Sequence, residues 1–145
     1  MLFPPGESRI KSTFRLLVAL AMTGVGIAHF THPEPFVRIV PDWLPSPLLL
    51  VLVSGFFEIA GGVGLLVRPV QRWAAWGLVA LYVAVFPANI HMAVHQIQLG
   101  VSDNPIPVWV MWARLPFQLI FIATAVWLAR DPGDGAARAH GAPRA

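Results

Sequence analysis

The sequence predicts an all-α fold, a four-helix transmembrane bundle with both termini in the cytoplasm. Three observations predict it. Of 145 residues, 57% are hydrophobic and only 12% are charged, about half the charged share of an average soluble chain. Four apolar runs are each long enough to cross a hydrocarbon core of about 30 Å, which takes roughly 20 residues at about 1.5 Å each. Eight of the ten Lys and Arg lie on one side of those runs. The apolar content excludes a disordered chain, and the length allows one domain. With no Cys, a disulfide framework, a thiolate metal site and thiol redox chemistry are excluded. The net charge of +3 sits in short clusters between apolar runs, so no nucleic-acid partner is expected.

Residues 1–13 read as a cytoplasmic N-terminal segment, 14–129 as the transmembrane domain, and 130–145 as a disordered cytoplasmic tail of Gly, Ala, Pro and Arg. The first span runs from Phe14 to Phe30. Arg9, Lys11 and Arg15 precede it and Ala19-Leu20-Ala21 has a cleavage-like pattern, but only Leu16, Leu17 and Val18 lie between. That is too short for a signal peptide, so the span is retained. The first outer loop holds Pro33, Pro35, Pro41, Pro45 and Pro47, too many for a regular helix. Its Phe36–Val40 stretch is expected to lie along the membrane interface, pinned by Trp43. The second and third spans run from Pro47 to Val67 and from Trp73 to Ala93. The short link between them, Arg68 to Arg72, makes them antiparallel neighbours. A second outer loop, residues 94–106, carries the turn signal Ser102-Asp103-Asn104-Pro105, and the fourth span runs from Pro107 to Ala129.

Orientation follows from the cations. Arg9, Lys11, Arg15, Arg68, Arg72, Arg130, Arg138 and Arg144 fall on one side, which the positive-inside rule makes cytoplasmic. Arg38 lies in an outer loop and Arg114 within a span. Trp43, Trp109 and Trp112 fall near outer span ends, and Trp73, Trp76 and Trp127 near inner ones, as interfacial aromatic belts require.

A charge within the bilayer costs about 2.5–3.5 kcal/mol on insertion scales, which makes each one a candidate for function. Glu58 is roughly 16 Å below the outer end of its helix, and Arg114 roughly 10 Å below the outer end of the fourth. Gly55, Glu58 and Gly62 are spaced i, i+3, i+7 and share a face whose small residues admit a neighbouring helix, so Glu58 points into the bundle. Its two readings are a functional site and a buried ion pair or hydrogen bond that fixes packing, with Arg114 as a candidate partner.

Four of the five histidines, His29, His32, His91 and His95, belong to the outer half, and His140 to the tail. His91 and His95 are four apart, so a metal or haem held by them with His29 is a possible reading. It ranks behind that of ordinary interfacial histidines. Pro87 and Pro116 interrupt the third and fourth spans beside Asn89 and Gln118, amides able to serve the carbonyls that each proline leaves without a donor. Together His29, Glu58, Asn89, His91, Arg114 and Gln118 are expected to converge in a pocket opening outward. The inner half offers no polar counterpart, which argues against a channel or pump.

The runs Gly26-Ile27-Ala28-His29-Phe30, Pro33 to Phe36, and Ile39-Val40-Pro41-Asp42-Trp43-Leu44-Pro45 resemble the DoxX-like membrane proteins. So do Ser54-Gly55, Glu58-Ile59-Ala60-Gly61-Gly62-Val63-Gly64-Leu65-Leu66 and Phe86-Pro87-Ala88-Asn89-Ile90-His91-Met92. The resemblance covers residues 14–129 and implies a small four-helix membrane protein, with His29, Glu58, Asn89 and His91 at matched positions. Some such proteins are subunits of membrane oxidoreductases that pass electrons to quinone; others assist assembly of partner proteins.

The expected function is therefore a subunit of a redox system in the cell membrane, binding a quinone or similar lipophilic molecule. Arg114, Asn89 or His91 would hydrogen-bond a carbonyl, and Glu58 or His29 would carry a proton. Its partners would be the lipid bilayer and a redox protein, with a second copy of itself as a further candidate. The alternatives are a non-enzymatic assembly or binding protein and a metal- or haem-binding one.

Overall fold

A computed structural model describes residues 8–99 and 104–130. The tail beyond Arg130, with His140, most of the N-terminal segment and the Ser102-Asp103 part of the turn signal lie outside the described residues. Five helices follow in order: α1 (Arg9–Thr31), α2 (Glu34–Val37), α3 (Pro47–Leu66), α4 (Gln71–His95) and α5 (Val108–Ala129). All but the one-turn α2 are long and apolar enough to cross a membrane. Their outer faces carry Leu17, Leu20, Leu49, Phe56, Val83 and Leu119, all exposed, as a surface in contact with lipid should. The protein is a multi-pass, all-helical membrane bundle.

The helix ends follow local chemistry. Ser8 caps α1, its hydroxyl accepting from the Lys11 amide at 3.2 Å, so α1 begins five residues before Phe14. Pro47 opens α3, where a proline loses no helical hydrogen bond. Gln96 ends α4 in the left-handed region at φ 52°, its amide bonded to the Met92 carbonyl. The helices continue through Pro87 and Pro116.

Alternation of direction along α1, α3, α4 and α5 places both ends of the described chain at one end of the bundle, here the terminal end. Lys11 and Arg15, expected before the first span, lie inside α1 and are buried there. Each donates to a carbonyl at the close of α5: the Lys11 ammonium to Arg130, and the Arg15 guanidinium to Leu128 at 3.4 Å. Helical carbonyls at a C-terminus have no intrahelical donor, and cations are favoured there. Phe14 meets Trp127 edge-on beside them.

Two apolar cores form. At the terminal end all four spanning helices contribute, with Ala19, Leu65, Leu78, Tyr82, Ala125 and Leu128 buried together. At the far end the core consists of Ile39, Met92, Ala93 and Met111, from the first long loop, α4 and α5. The Phe36–Val40 stretch therefore does more than lie along the interface. Its Ile39 and Val40 are buried, while Trp43 is 74% exposed. All six Trp are exposed, in keeping with their belt positions.

Candidate functional site

The face Gly55-Glu58-Gly62 packs as its spacing predicts, against α1. A Cβ on Gly26 would stand 2.7 Å from the Gly55 carbonyl oxygen, and one on Gly55 would stand 2.5 Å from the Cβ of His29. Only glycine at both positions lets the backbones approach so closely. The same face makes Glu58 meet His29, with Oε2 3.2 Å from Nδ1. The two residues are 8% and 6% exposed, shielded from lipid as well as water.

The His29 Nδ1 is also 2.9 Å from the Val25 carbonyl. A carbonyl can only accept, so Nδ1 carries the proton and donates to Val25, which fixes the tautomer. That nitrogen has no second proton for Glu58. The carboxyl group is held beside the ring by packing, and its Oε2 has no hydrogen-bond partner among the described residues. The His29 ring stacks on Phe36 of α2 at 3.8 Å between centroids, tying this pair to the far-end loop.

A second polar pair joins α4 to α5. The Asn89 amide donates to Gln118 Oε1 at 3.1 Å, and Gln118 Nε2 donates to the Tyr82 carbonyl at 2.9 Å. That carbonyl adjoins the one on Val83, which Pro87 cannot serve. Asn89 and Gln118 thus act as an interhelical clamp at a proline-interrupted turn.

Tyr82 was not legible as a site residue from spacing alone. It is 5% exposed, its hydroxyl has no hydrogen-bond partner among the described residues, and it lies within electrostatic reach of Glu58. Leaving a buried polar group unpaired costs about 1–3 kcal/mol. Among such atoms on the facing helices α3 and α4 are Glu58 Oε2 and Tyr82 Oη in mid-span, with Gln71 Oε1 at the first turn of α4. The signal available in the sequence was that this is the only Tyr in the chain, placed in mid-span away from the aromatic belts.

The remaining expected residues sit apart. His91 has Nδ1 3.2 Å from the Ile39 carbonyl, so that nitrogen secures the loop. His95 packs against His91 and is exposed. Arg114 is half-buried on the side of α5 that carries Gln118, and among the described residues it makes no hydrogen bond or ion pair. The expected Glu58–Arg114 pair is therefore replaced by Glu58–His29, because the glycine seam brings α1, and not α5, against that face of α3. Nor do His29, His91 and His95 gather: among the described residues no group of three or more His, Asp or Glu could hold a metal ion. The six expected residues form two separate pairs with His91 and Arg114 beside them, and Tyr82 joins the Glu58 side.

What the arrangement offers chemically is a buried carboxylate oxygen able to accept and a buried phenol able to donate. Both are set in an apolar bundle whose terminal half is closed by the four-helix core. No curated protein and no solved structure matches the chain. Residues 17–129 match the sequence profile described as Domain of unknown function (DUF8561), and the chain belongs to that family.

Proposed function

We propose that this protein is a DoxX-like subunit of a redox system in the cell membrane, and that it binds a quinone or similar lipophilic carbonyl compound between α3 and α4. The observation that carries the reading is the pair of unpartnered buried atoms, Tyr82 Oη and Glu58 Oε2. A quinone oxygen can only accept, which suits the tyrosine hydroxyl. The quinol formed from it donates, which suits the carboxylate. One donor and one acceptor on facing helices would serve both redox states of one ring. Reduction takes two electrons and two protons. In this reading both electrons come from a partner redox protein, and Glu58 passes the two protons to the ring oxygens one after the other, taking up the second from the outer aqueous side once the first is delivered.

His29 is in this reading a positioning residue. Its single Nδ1 proton is committed to Val25, and its charge state biases that of Glu58. Asn89 and Gln118 hold α4 and α5 together on the far-end side of Tyr82. The positive-inside distribution of Lys and Arg supports a cytoplasmic terminal end and an outward-facing polar layer.

The test is extraction of the protein in a mild detergent, followed by mass spectrometry of what accompanies it. A quinone retained by the wild type and lost from Glu58→Gln, with helicity unchanged, is the expected result. A wild-type protein free of any lipophilic carbonyl compound in quinone-replete membranes contradicts the reading.

A further inference from the structure

A second feature lies at the other end of the bundle. Between α3 and α4, toward the terminal end, runs an apolar groove of about 270 Å³, its walls including Phe57, Ala60 and Gly64 on one side and Trp73, Ala74 and Gly77 on the other. Missing side chains create it: a Cβ placed on Gly77 would find no atom within 4 Å. The groove opens on the bundle surface, where Trp73 is 77% exposed at its rim. It ends at Val70, in the short link that also carries Arg68, and Arg72 opens the next turn. Both arginines are exposed. A slot for hydrocarbon thus ends in the link that carries Arg68, at a depth that the tryptophan marks as the headgroup level.

We propose that this groove binds one anionic phospholipid, an acyl chain lying in the slot and the phosphate against Arg68. Charge selects this occupant. A symmetric second copy docking in the same groove would bring its own Arg68 toward this one, and the like charges would repel. A phospholipid anion instead supplies the opposite charge at that depth. Juxtamembrane cations attract anionic lipid, and basic pockets between membrane helices hold such headgroups.

The test reconstitutes the full chain in nanodiscs of phosphatidylcholine with a minority of phosphatidylglycerol, then counts retained lipids by native mass spectrometry. The wild type retains phosphatidylglycerol well above its share. Arg68→Gln lowers that retention about fivefold, the share expected of one cation at a membrane surface. Gly77→Leu fills the slot and abolishes the preference with all cations in place. Leucine is the better helix former and open space receives it, so its thermal unfolding stays at or above that of the wild type. Gly24→Leu, also into open space but on α1, keeps the preference. Retention in proportion to lipid share, or an undiminished preference in Gly77→Leu, overturns the proposal. So does a wild-type dimer that Gly77→Leu dissolves while lipid retention stays constant, since the occupant is then a second copy.

Discussion

Glu58 Oε2 stands 3.2 Å from His29 Nδ1 across the seam of α1 and α3. The contact depends on glycine: Gly26 and Gly55 bring the two backbones so close that α1 presents His29 to the acid. A side chain that costs energy in a membrane thereby stands beside one imidazole, its Oε2 against the ring yet without a hydrogen-bond donor among the described residues.

Coupling between these two residues is measurable. A double-mutant cycle with His29→Ala and Glu58→Gln, read by unfolding in mixed micelles, should give an interaction of about 0.5–3 kcal/mol. The same cycle with Arg114→Gln and Glu58→Gln should be additive within about 0.5 kcal/mol. The reverse pattern would place Glu58 against α5.

The glycine seam makes a prediction about size. Gly26→Ala forces a Cβ against the Gly55 carbonyl and the Ile59 side chain and should cost about 1–3 kcal/mol. Gly24→Ala, two residues earlier but facing open space, should stabilise by up to about 1 kcal/mol. Thermal unfolding in detergent separates the two.

Tyr82→Phe removes a hydroxyl with no hydrogen-bond partner among the described residues. The ligand-free protein should lose no stability and gain a little. Quinone affinity, followed by equilibrium dialysis in micelles, should fall about tenfold, the upper range for one hydrogen bond. A stability loss with unchanged affinity would assign the hydroxyl a structural role.

How much of this could be read from the sequence differs by residue. The four spans, the antiparallel second and third, and the inward direction of Glu58 follow from length and periodicity, which depend on the helix alone. The partner of Glu58 does not. Spacing says which face a residue occupies but not which helix lies against it, and axial depth pointed to Arg114. The closeness of α1 is decided by Gly26, a residue on another helix. Lys11 and Arg15 read as flanking charges because a charge run before an apolar run is the ordinary sign of a membrane boundary. Only the end of α5, with its unserved carbonyls, turns them inward. Tyr82 passed unnoticed because a phenol among Leu and Val fits apolar packing, and only its unpaired hydroxyl sets it apart.

The clamp between α4 and α5 predicts non-additivity. Gln118→Leu breaks its bonds to both Asn89 and the Tyr82 carbonyl and should cost about 0.6–1.7 kcal/mol, the range of interhelical hydrogen bonds in a membrane. Asn89→Leu added to it should cost little more. Full additivity in the unfolding measurement would mean that Asn89 has another essential partner.

Photolabelling with an azido-substituted quinone tests the location of the ligand most directly. After illumination and digestion, the label should map to the α3 and α4 segments around Glu58 and Tyr82, and an excess of unmodified quinone should suppress it. Label confined to lipid-facing residues such as Leu49 or Leu119, or insensitive to that competition, would contradict a site built on these two side chains.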